Sequence, residues 1–278
     1  MVVSVILSTY NSPDLLKRTL AGYSRQTVEK SFEVVVADDG SGDETRELVD
    51  RLRRDLELDL RHVWHEDRGF RKCEILNRAI EQARGEYLVF SDGDCIPWSE
   101  FLAIHLRLAR RGRFLSGGYF HLPRELSEGL TVDDVRQGRA ESLEWLHRQG
   151  LPRSWGSSRL GSSASVGRIF DLLTPTRPSW NGHNASGWKD DLEQVNGFDE
   201  RMGWGGEDRE LGERLVNLGI RGVQIRHRAL CLHQWHERSY VNDEVVAENL
   251  RLRRETARQR ATYTTHGIVK SGGSAARA

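Results

Sequence analysis

The chain has 278 residues, and its 41 lysines and arginines are matched by 41 aspartates and glutamates. A net charge of zero argues against a protein held to nucleic acid by bulk electrostatics, which needs a basic excess. With 37% hydrophobic and 29% charged residues, the chain is on average neither disordered nor membrane-embedded. The length suits one large α/β domain or two small ones. Cys73, Cys95 and Cys231 form no C-x-x-C pair and no disulfide framework, which points to a reducing compartment. No charged segment followed by an apolar one opens the chain, and no apolar run is long enough to span a bilayer. A cytoplasmic location is expected. Only five basic residues are lysines, Lys17, Lys30, Lys72, Lys189 and Lys270, which reads as a coding bias toward arginine.

Val2 to Ser8 is a continuous β-branched run and predicts a buried parallel strand. Ser12 then serves as N-cap and Pro13 as first residue of a helix carrying Leu15, Leu16, Leu20 and Tyr23. Phe32 to Ala37 predicts a second strand, followed by a helix around Leu48 and Leu52. Leu60 to Trp64 predicts a third strand, Glu74 to Arg84 a helix stopped by Gly85, and Tyr87 to Phe90 a fourth strand. This alternation implies a doubly wound, mostly parallel sheet whose ligands bind beyond the carboxyl ends of the strands. From Gly112 to Pro178 the pattern weakens, and the Ser- and Gly-rich stretch from Ser154 to Gly167 reads as a mobile loop. Val223 to Ile225 and Ala229 to Leu232 predict late strands. Glu244 to Arg260 predicts a helix, and the small polar tail beyond Lys270 predicts disorder.

Polar clusters follow the strands. Asp92-Gly93-Asp94 sets two carboxylates one residue apart, able to face one hard cation such as Mn²⁺ or Mg²⁺. In isolation the triplet is an ordinary acidic turn; after a buried strand the metal reading gains. Asp38-Asp39 occupies the equivalent place after the second strand, where a carboxylate can accept from a nucleobase imide or a ribose hydroxyl. Helix capping by Ser41 or Asp43, with Glu44 in the first turn, is compatible with that role. The local Gly40-x-Gly42 lacks the third glycine of a dinucleotide fingerprint, since Thr45 stands there. From Asn196 to Leu211 a glycine- and Trp-bearing loop presents Glu207-Asp208 at a helix start, with Leu211, Leu215 and Leu218 along one face. The dipole favours one acid there. It leaves unexplained the Trp204-Gly205-Gly206 collar, which allows close approach of a flat, hydroxylated ligand.

Thr9-Tyr10-Asn11, Asp38 to Ser41, the Asn77 to Gly85 helix, Asp92-Gly93-Asp94 and Gly203 to Asp208 occur in the order seen in family 2 glycosyltransferases with the GT-A fold, and the chain resembles them over about residues 2–120 and 180–236. Its C-terminal part is similar to animal β-1,4-galactosyltransferases and bacterial chondroitin-type polymerases. The resemblance implies an α/β, Rossmann-like GT-A fold: a mostly parallel central sheet flanked by helices, one catalytic domain with a helical or loop insertion. Residues 1–118 would form the UDP-sugar-binding half, 119–179 a variable insertion, 180–236 the acceptor and catalytic half, and 237–278 a basic helix and tail. Thr9 and Asp39 would meet the uracil, with Tyr10, Asn11, Asp38, Arg71 and Asn77 in the nucleotide-binding set. Asp92 and Gly93 would lie near the ribose or sugar, with His183, Asn184, Trp204, Gly205 and Gly206 contacting donor or acceptor. Asp94 would ligate Mn²⁺ or Mg²⁺, completed by His233 or, alternatively, His236. Asp208 would be the general base, with Glu207 holding hydroxyls. A zinc site from Cys231, His233 and His236 is the weaker reading, because no fourth ligand is suitably spaced.

The implied reaction is inverting transfer of a Gal- or GalNAc-type hexose from a UDP-sugar to a saccharide or lipid-linked acceptor in bacterial surface polysaccharide synthesis. Two other classes fit the sequence less well. A sugar-nucleotide nucleotidyltransferase would carry a glycine-rich basic loop after the first strand, and Ser8 to Asn11 has none. A non-catalytic nucleotide- or glycan-binding protein would have no reason to keep Asp94, Asp208 and His233 together. Between Tyr119 and Pro178, Trp145, Arg153, Trp155 and Arg159 suit either an acceptor lid or a solvated insertion. Arg251, Arg253, Arg254, Arg258 and Arg260 suit either peripheral membrane attachment or a helix packed on the body. No nucleic-acid partner is expected.

Overall fold

The computed structural model describes residues 2–28, 31–158, 160, 164–237 and 242–270. The first half alternates as its sequence predicts: β1 (Val3–Thr9), α1 (Pro13–Tyr23), β2 (Phe32–Asp38), α2 (Asp43–Asp55), β3 (Asp59–Trp64), α3 (Lys72–Gln82) and β4 (Tyr87–Asp92). Next come β5 (Cys95–Pro97), α4 (Phe101–Leu108), β6 (Arg113–Ser116) and β7 (Phe120–His121). Five short helices then cross the weakly patterned region: α5 (Arg124–Gly129), α6 (Val132–Arg136), α7 (Leu143–Arg148), α8 (Trp155–Ser158) and α9 (Ala164–Leu173). The chain closes with β8 (Ala185–Trp188), α10 (Lys189–Gln194), α11 (Glu207–Asn217), β9 (Arg221–Gln224), β10 (Cys231–His233) and α12 (Asp243–Gln259).

Seven strands form the main sheet in the order β3-β2-β1-β4-β8-β6-β9. β8 is antiparallel to both β4 and β6; the other main-sheet pairs are parallel. A small sheet, β5-β10-β7, joins the turn after β4 to the end of the chain's second half. The continuity of the β1 run has a plain cause, since both faces are covered. Val3, Val5 and Leu7 pack with Leu16, Leu20 and Val36 on one side, while Ile6 packs with Val35, Ile75, Ile80 and Phe90 on the other. Among the described residues no helix is long and apolar enough to cross a membrane.

Several local expectations change. Ser12 holds the N-cap position, but its hydroxyl donates to the Tyr10 carbonyl instead of capping. Neither Ser41 nor Asp43 caps α2. Gly42 is the N-cap, its N–H is taken by Asn11 Oδ1 at 3.1 Å, and Ser41 Oγ accepts the Asn11 N–H at 2.8 Å. The helix α3 ends at Gln82, before Gly85, because Ala83 turns extended. Gly85 is needed for a different reason, as a Cβ there would lie 2.5 Å from the Ser4 nitrogen. The expected Ser/Gly loop contains α8 and the first turn of α9.

The C-terminal helix is not a basic one. Within Asp243–Gln259 four acids balance four arginines. Arg251 pairs with Glu248 at 2.6 Å and Glu255 at 3.4 Å, and Arg253 reaches back to Glu213 of α11 at 2.5 Å. The tail expected to be disordered lies outside the described residues.

Candidate active site

Because β1, β2 and β4 are parallel, Thr9, Asp38-Asp39 and Asp92 emerge along one edge. Asp92 is gripped by Ser8 Oγ at 2.6 Å and by Lys72 Nζ at 2.9 Å. Burial disfavours its charge, but the Lys72 ammonium and the Ser8 hydroxyl outweigh that and hold it below the usual carboxylate range. Gly93 locks the turn, its N–H donating to Ser8 O at 2.7 Å. Lys72, the first residue of α3, also feels the charges of Asp208 and Glu207. Burial pushes its pKa down, and the three carboxylates overcome that and raise it well above the ordinary lysine value. Sequence reasoning missed this residue.

Asp208 stands in the first turn of α11, with Gly206 at the N-cap. Burial, and then the neighbouring Glu207 charge, lift its pKa to about 7, although Lys72 and the Gly182 N–H pull the other way. Its Oδ1 is buried and has no hydrogen-bond partner among the described residues. An orphaned acceptor of that kind is open to a donor that the described residues do not supply. Glu207 is buried, and its Oε2 accepts the Gly205 N–H at 2.8 Å.

Beside β2, Asp39 Oδ1 lies 2.7 Å from His65 Nε2, and its Oδ2 accepts the Arg71 N–H at 3.0 Å. Burial raises its pKa. The Arg71 guanidinium pairs with Glu74 at 2.8 Å and donates to the Glu66 carbonyl. Trp64, His65, Arg68, Arg71, Glu74 and Arg78 line a cleft of about 370 Å³ here. Tyr10 is exposed and donates to Asp67 Oδ2 at 2.9 Å. A larger cleft, about 460 Å³ between α1, α2 and α6, contains none of the predicted site residues.

Asp94, Cys95 and His233 bring one donor atom each within 4.8 Å of one another. His236 Nε2 is 3.0 Å from Asp94 Oδ2 and His233 Nε2 is 3.7 Å from Asp94 Oδ1, so both predicted histidines face the carboxylate. A carboxylate with two imidazoles fits a divalent ion of the Mn²⁺ kind. Cys95 fits less well, because burial pushes its thiol pKa up and keeps it protonated. The zinc alternative loses Cys231, whose thiol donates to Gly118 O at 3.4 Å. Tyr119 connects this cluster to His183, with ring centroids 4.3 Å apart, and to His233 at 5.1 Å. Burial lowers the His183 pKa to about 4 and leaves its ring neutral.

Three predicted binding residues prove to be internal ties. Asp38 is fully buried, takes the Ser41 N–H at 2.8 Å and faces His62 at 2.8 Å. Asn77 closes a pair of bonds with the Phe198 backbone and donates to Glu200. Asn184 is fully buried between His105, Gly118 O and Ala229 O. Each amide or carboxylate is consumed by protein partners, which leaves no surface for a ligand. Asn11 is likewise engaged with Ser41 and Gly42, although it remains exposed. Trp204 and Gly205 do form a collar at the start of α11, and Asn249 of α12 donates to the carbonyls of Gly203, Trp204 and Gly205. Trp145 packs on the apolar cluster of Leu126, Leu130 and Leu146, which speaks against a lid role, and Arg153 is exposed. The Trp155 side chain and Arg159 lie outside the described residues.

The architecture is that of GT-A glycosyltransferases. Two solved structures share it: a mannosyltransferase, PcManGT, from Pyrobaculum calidifontis in complex with GDP-Man and Mn²⁺, at TM-score 0.58 and 22% identity over 93% of this chain and 62% of that one; and S. aureus TarS 1–349 in complex with UDP-GlcNAc, at 0.60 and 23% over 91% and 65%. Residues 4–126 match the family described as glycosyl transferase family 2, and residues 177–236 match the one described as N-terminal domain of galactosyltransferase. Among relatives, a glycosyltransferase of Bacillus subtilis, YfnE, is 34% identical over 90% of this chain and 69% of its own length. A validoxylamine A glucosyltransferase of Streptomyces hygroscopicus is 34% identical over 86% of this chain, and an Escherichia coli chondroitin synthase is 29% identical over 84%. This chain spans 57% of the glucosyltransferase and 34% of the chondroitin synthase. It belongs to glycosyltransferase family 2.

Proposed function

We propose that the chain transfers a hexose from a UDP-sugar to a hydroxyl of a saccharide or lipid-linked acceptor, with inversion, in the synthesis of a bacterial surface polysaccharide. The observation that carries this reading is Asp208: a half-buried residue with one buried, orphaned carboxylate oxygen and a pKa near 7, on the edge where Asp39 and Asp92 emerge. A group poised at that pKa suits proton abstraction from a hydroxyl at neutral pH, worth about 10²–10⁴-fold in rate. The acceptor oxygen bonds to the anomeric carbon, the bond from that carbon to the diphosphate oxygen breaks, and the hydroxyl proton passes to Asp208. One direct displacement inverts the centre. Glu207, fixed by Gly205, holds acceptor or donor hydroxyls, and Lys72 keeps Asp92 ionised toward the donor. His65 and Arg71, both bonded to Asp39, line the cleft that suits the nucleobase. Asp94 with His233 and His236 would hold a divalent cation, which supplies positive charge to the departing diphosphate. A Gal- or GalNAc-type donor is favoured by the match over residues 177–236.

The test is a panel of UDP-Glc, UDP-Gal, UDP-GlcNAc and UDP-GalNAc assayed for Mn²⁺-dependent UDP release, followed by acceptor screening. Asp208→Asn is expected to bind UDP almost normally and to lose at least about 10²-fold in turnover. No metal-dependent UDP binding or release from any donor overturns the transferase reading, and wild-type turnover in Asp208→Asn overturns the base assignment.

A further inference from the structure

The helix α9 stands on the same edge of the molecule as the carboxylates. β4 and β6 are both antiparallel to β8, and β9 is parallel to β6, so Gln224 at the end of β9 points the same way as Asp92. The turn that follows, through Arg228, is the seat of α9. Asp171 is buried, accepts the His227 N–H at 2.9 Å and pairs with Arg228 at 2.5 Å. Gly167 fits so closely that a Cβ there would lie 2.4 Å from the His227 carbonyl oxygen. One face of α9 is thereby fixed to the protein.

The opposite face is apolar and bare. Ile169, Leu172 and Leu173, at helical positions i, i+3 and i+4, are 54%, 76% and 73% exposed. The two leucines are the most exposed large apolar side chains among the described residues. The exposed charge in the sequence on either side of them has one sign. From Leu151 to Ser179 the sequence carries four arginines and a single acid, Asp171, which is the inward-facing one. Arg153, Arg168 and Arg177 are exposed and form no ion pair among the described residues, and Arg159 lies outside them. An apolar stripe flanked only by arginine is the surface of an interfacial helix, whose leucines enter the boundary between headgroups and acyl chains while its cations meet lipid phosphates. The contrast with α12 is direct, since that helix carries as many acids as arginines and pairs Arg251 and Arg253.

We propose that the protein docks peripherally on an anionic lipid surface through this face of α9, with its carboxylate edge turned toward the membrane. The proposal rests on the surface of α9 and stands or falls apart from the transferase reading. It is tested by co-sedimenting the full chain with vesicles of phosphatidylcholine mixed with phosphatidylglycerol, and with phosphatidylcholine alone. Binding is expected only to the anionic vesicles and should weaken as salt rises. Leu172→Ser with Leu173→Ser is expected to lower partitioning at least about tenfold, and Arg168→Glu with Arg177→Glu to lower it comparably. Arg254→Glu with Arg258→Glu in α12 should leave it unchanged. Circular dichroism checks that each variant is folded, and Ile169→Ser supplies a milder change in the same stripe. Absence of binding to anionic vesicles, or equal binding by the leucine variant, overturns the proposal. So does light scattering that shows a dimer dissolved by the leucine changes, which would assign the face to a second copy.

Discussion

Between α3 and α11 one ammonium faces three carboxylates, and their balance sets the chemistry of the edge. Lys72 holds Asp92 ionised at all working pH, yet Asp208 beside it stays near 7 because burial and Glu207 outweigh the same lysine. Activity that depends on Asp208 as base should therefore rise about tenfold per pH unit below 7 and level off above it. Lys72 lowers the Asp208 pKa, so Lys72→Met should move that limb toward alkaline pH and Lys72→Arg should restore most of it; an unmoved limb in a folded Met variant would show the two groups to be uncoupled. Stability follows with its own sign. The folded-state pKa of Asp208 is raised from 3.8 to about 7, so the stabilisation it brings is present at low pH and is lost as pH rises through about 7. Asp208→Asn, neutral at every pH, should melt above the wild type at pH 8, read by calorimetry. Asp208 was legible because the Trp-Gly-Gly collar has no need to exist for capping alone. Lys72 was not, because a lone lysine opening a helix looks like any solvated charge until the fold brings β4 and α11 to it. Asp38, Asn77 and Asn184 failed in the other direction: a buried polar side chain inside a motif must be satisfied, and here backbone groups and neighbouring side chains satisfy it.

At the scale of elements, α12 acts as a splint for the collar. Asn249 is buried and spends its amide on three successive loop carbonyls, while Val245 and Val246 press against Gly203 and Gly205. Replacing Asn249 by Ala strands those carbonyls and is expected to cost about 1–3 kcal/mol of stability. It should also raise KM for acceptor more than for donor, since Asp39 and Asp92 are untouched; steady-state kinetics against each substrate distinguishes this from general loss of folding. The strands β1, β2 and β4 were legible as apolar runs because helices cover both their faces. β8 was not, although it sits mid-sheet. Its Ala185-Ser186-Gly187-Trp188 has no such run, since the space is filled by large neighbours: Tyr87 and His105 both bond Ser186 Oγ at 2.7 Å, and Trp188 meets Tyr87 edge-on. The periodicity of the short helices α5 to α8 was equally hidden, each being too brief to repeat a pattern.

The whole molecule is tied together by that same strand. Residues matching two sequence families share a single sheet, because β8 from the second half lies between β4 and β6 of the first. A fragment of residues 1–118 would leave the inner edge of β4 unpaired and β6 without either neighbour. Such a fragment should be insoluble or lack a cooperative unfolding transition, and co-expression with residues 119–278 should rescue it. A soluble, cooperatively melting fragment would show that the donor half folds alone.

Order of synthesis gives that topology a further consequence. β4 is complete once Asp92 has left the ribosome, but the strand that covers it begins only at Ala185. Throughout the intervening elongation a largely apolar strand, paired with β1 on one side only, waits with the backbone donors and acceptors of its other edge bare, available to any other nascent chain. The time to productive folding is therefore governed by when residue 188 emerges, and faster translation or chaperone capture across residues 93–184 should raise the soluble yield without altering a single contact of the finished protein.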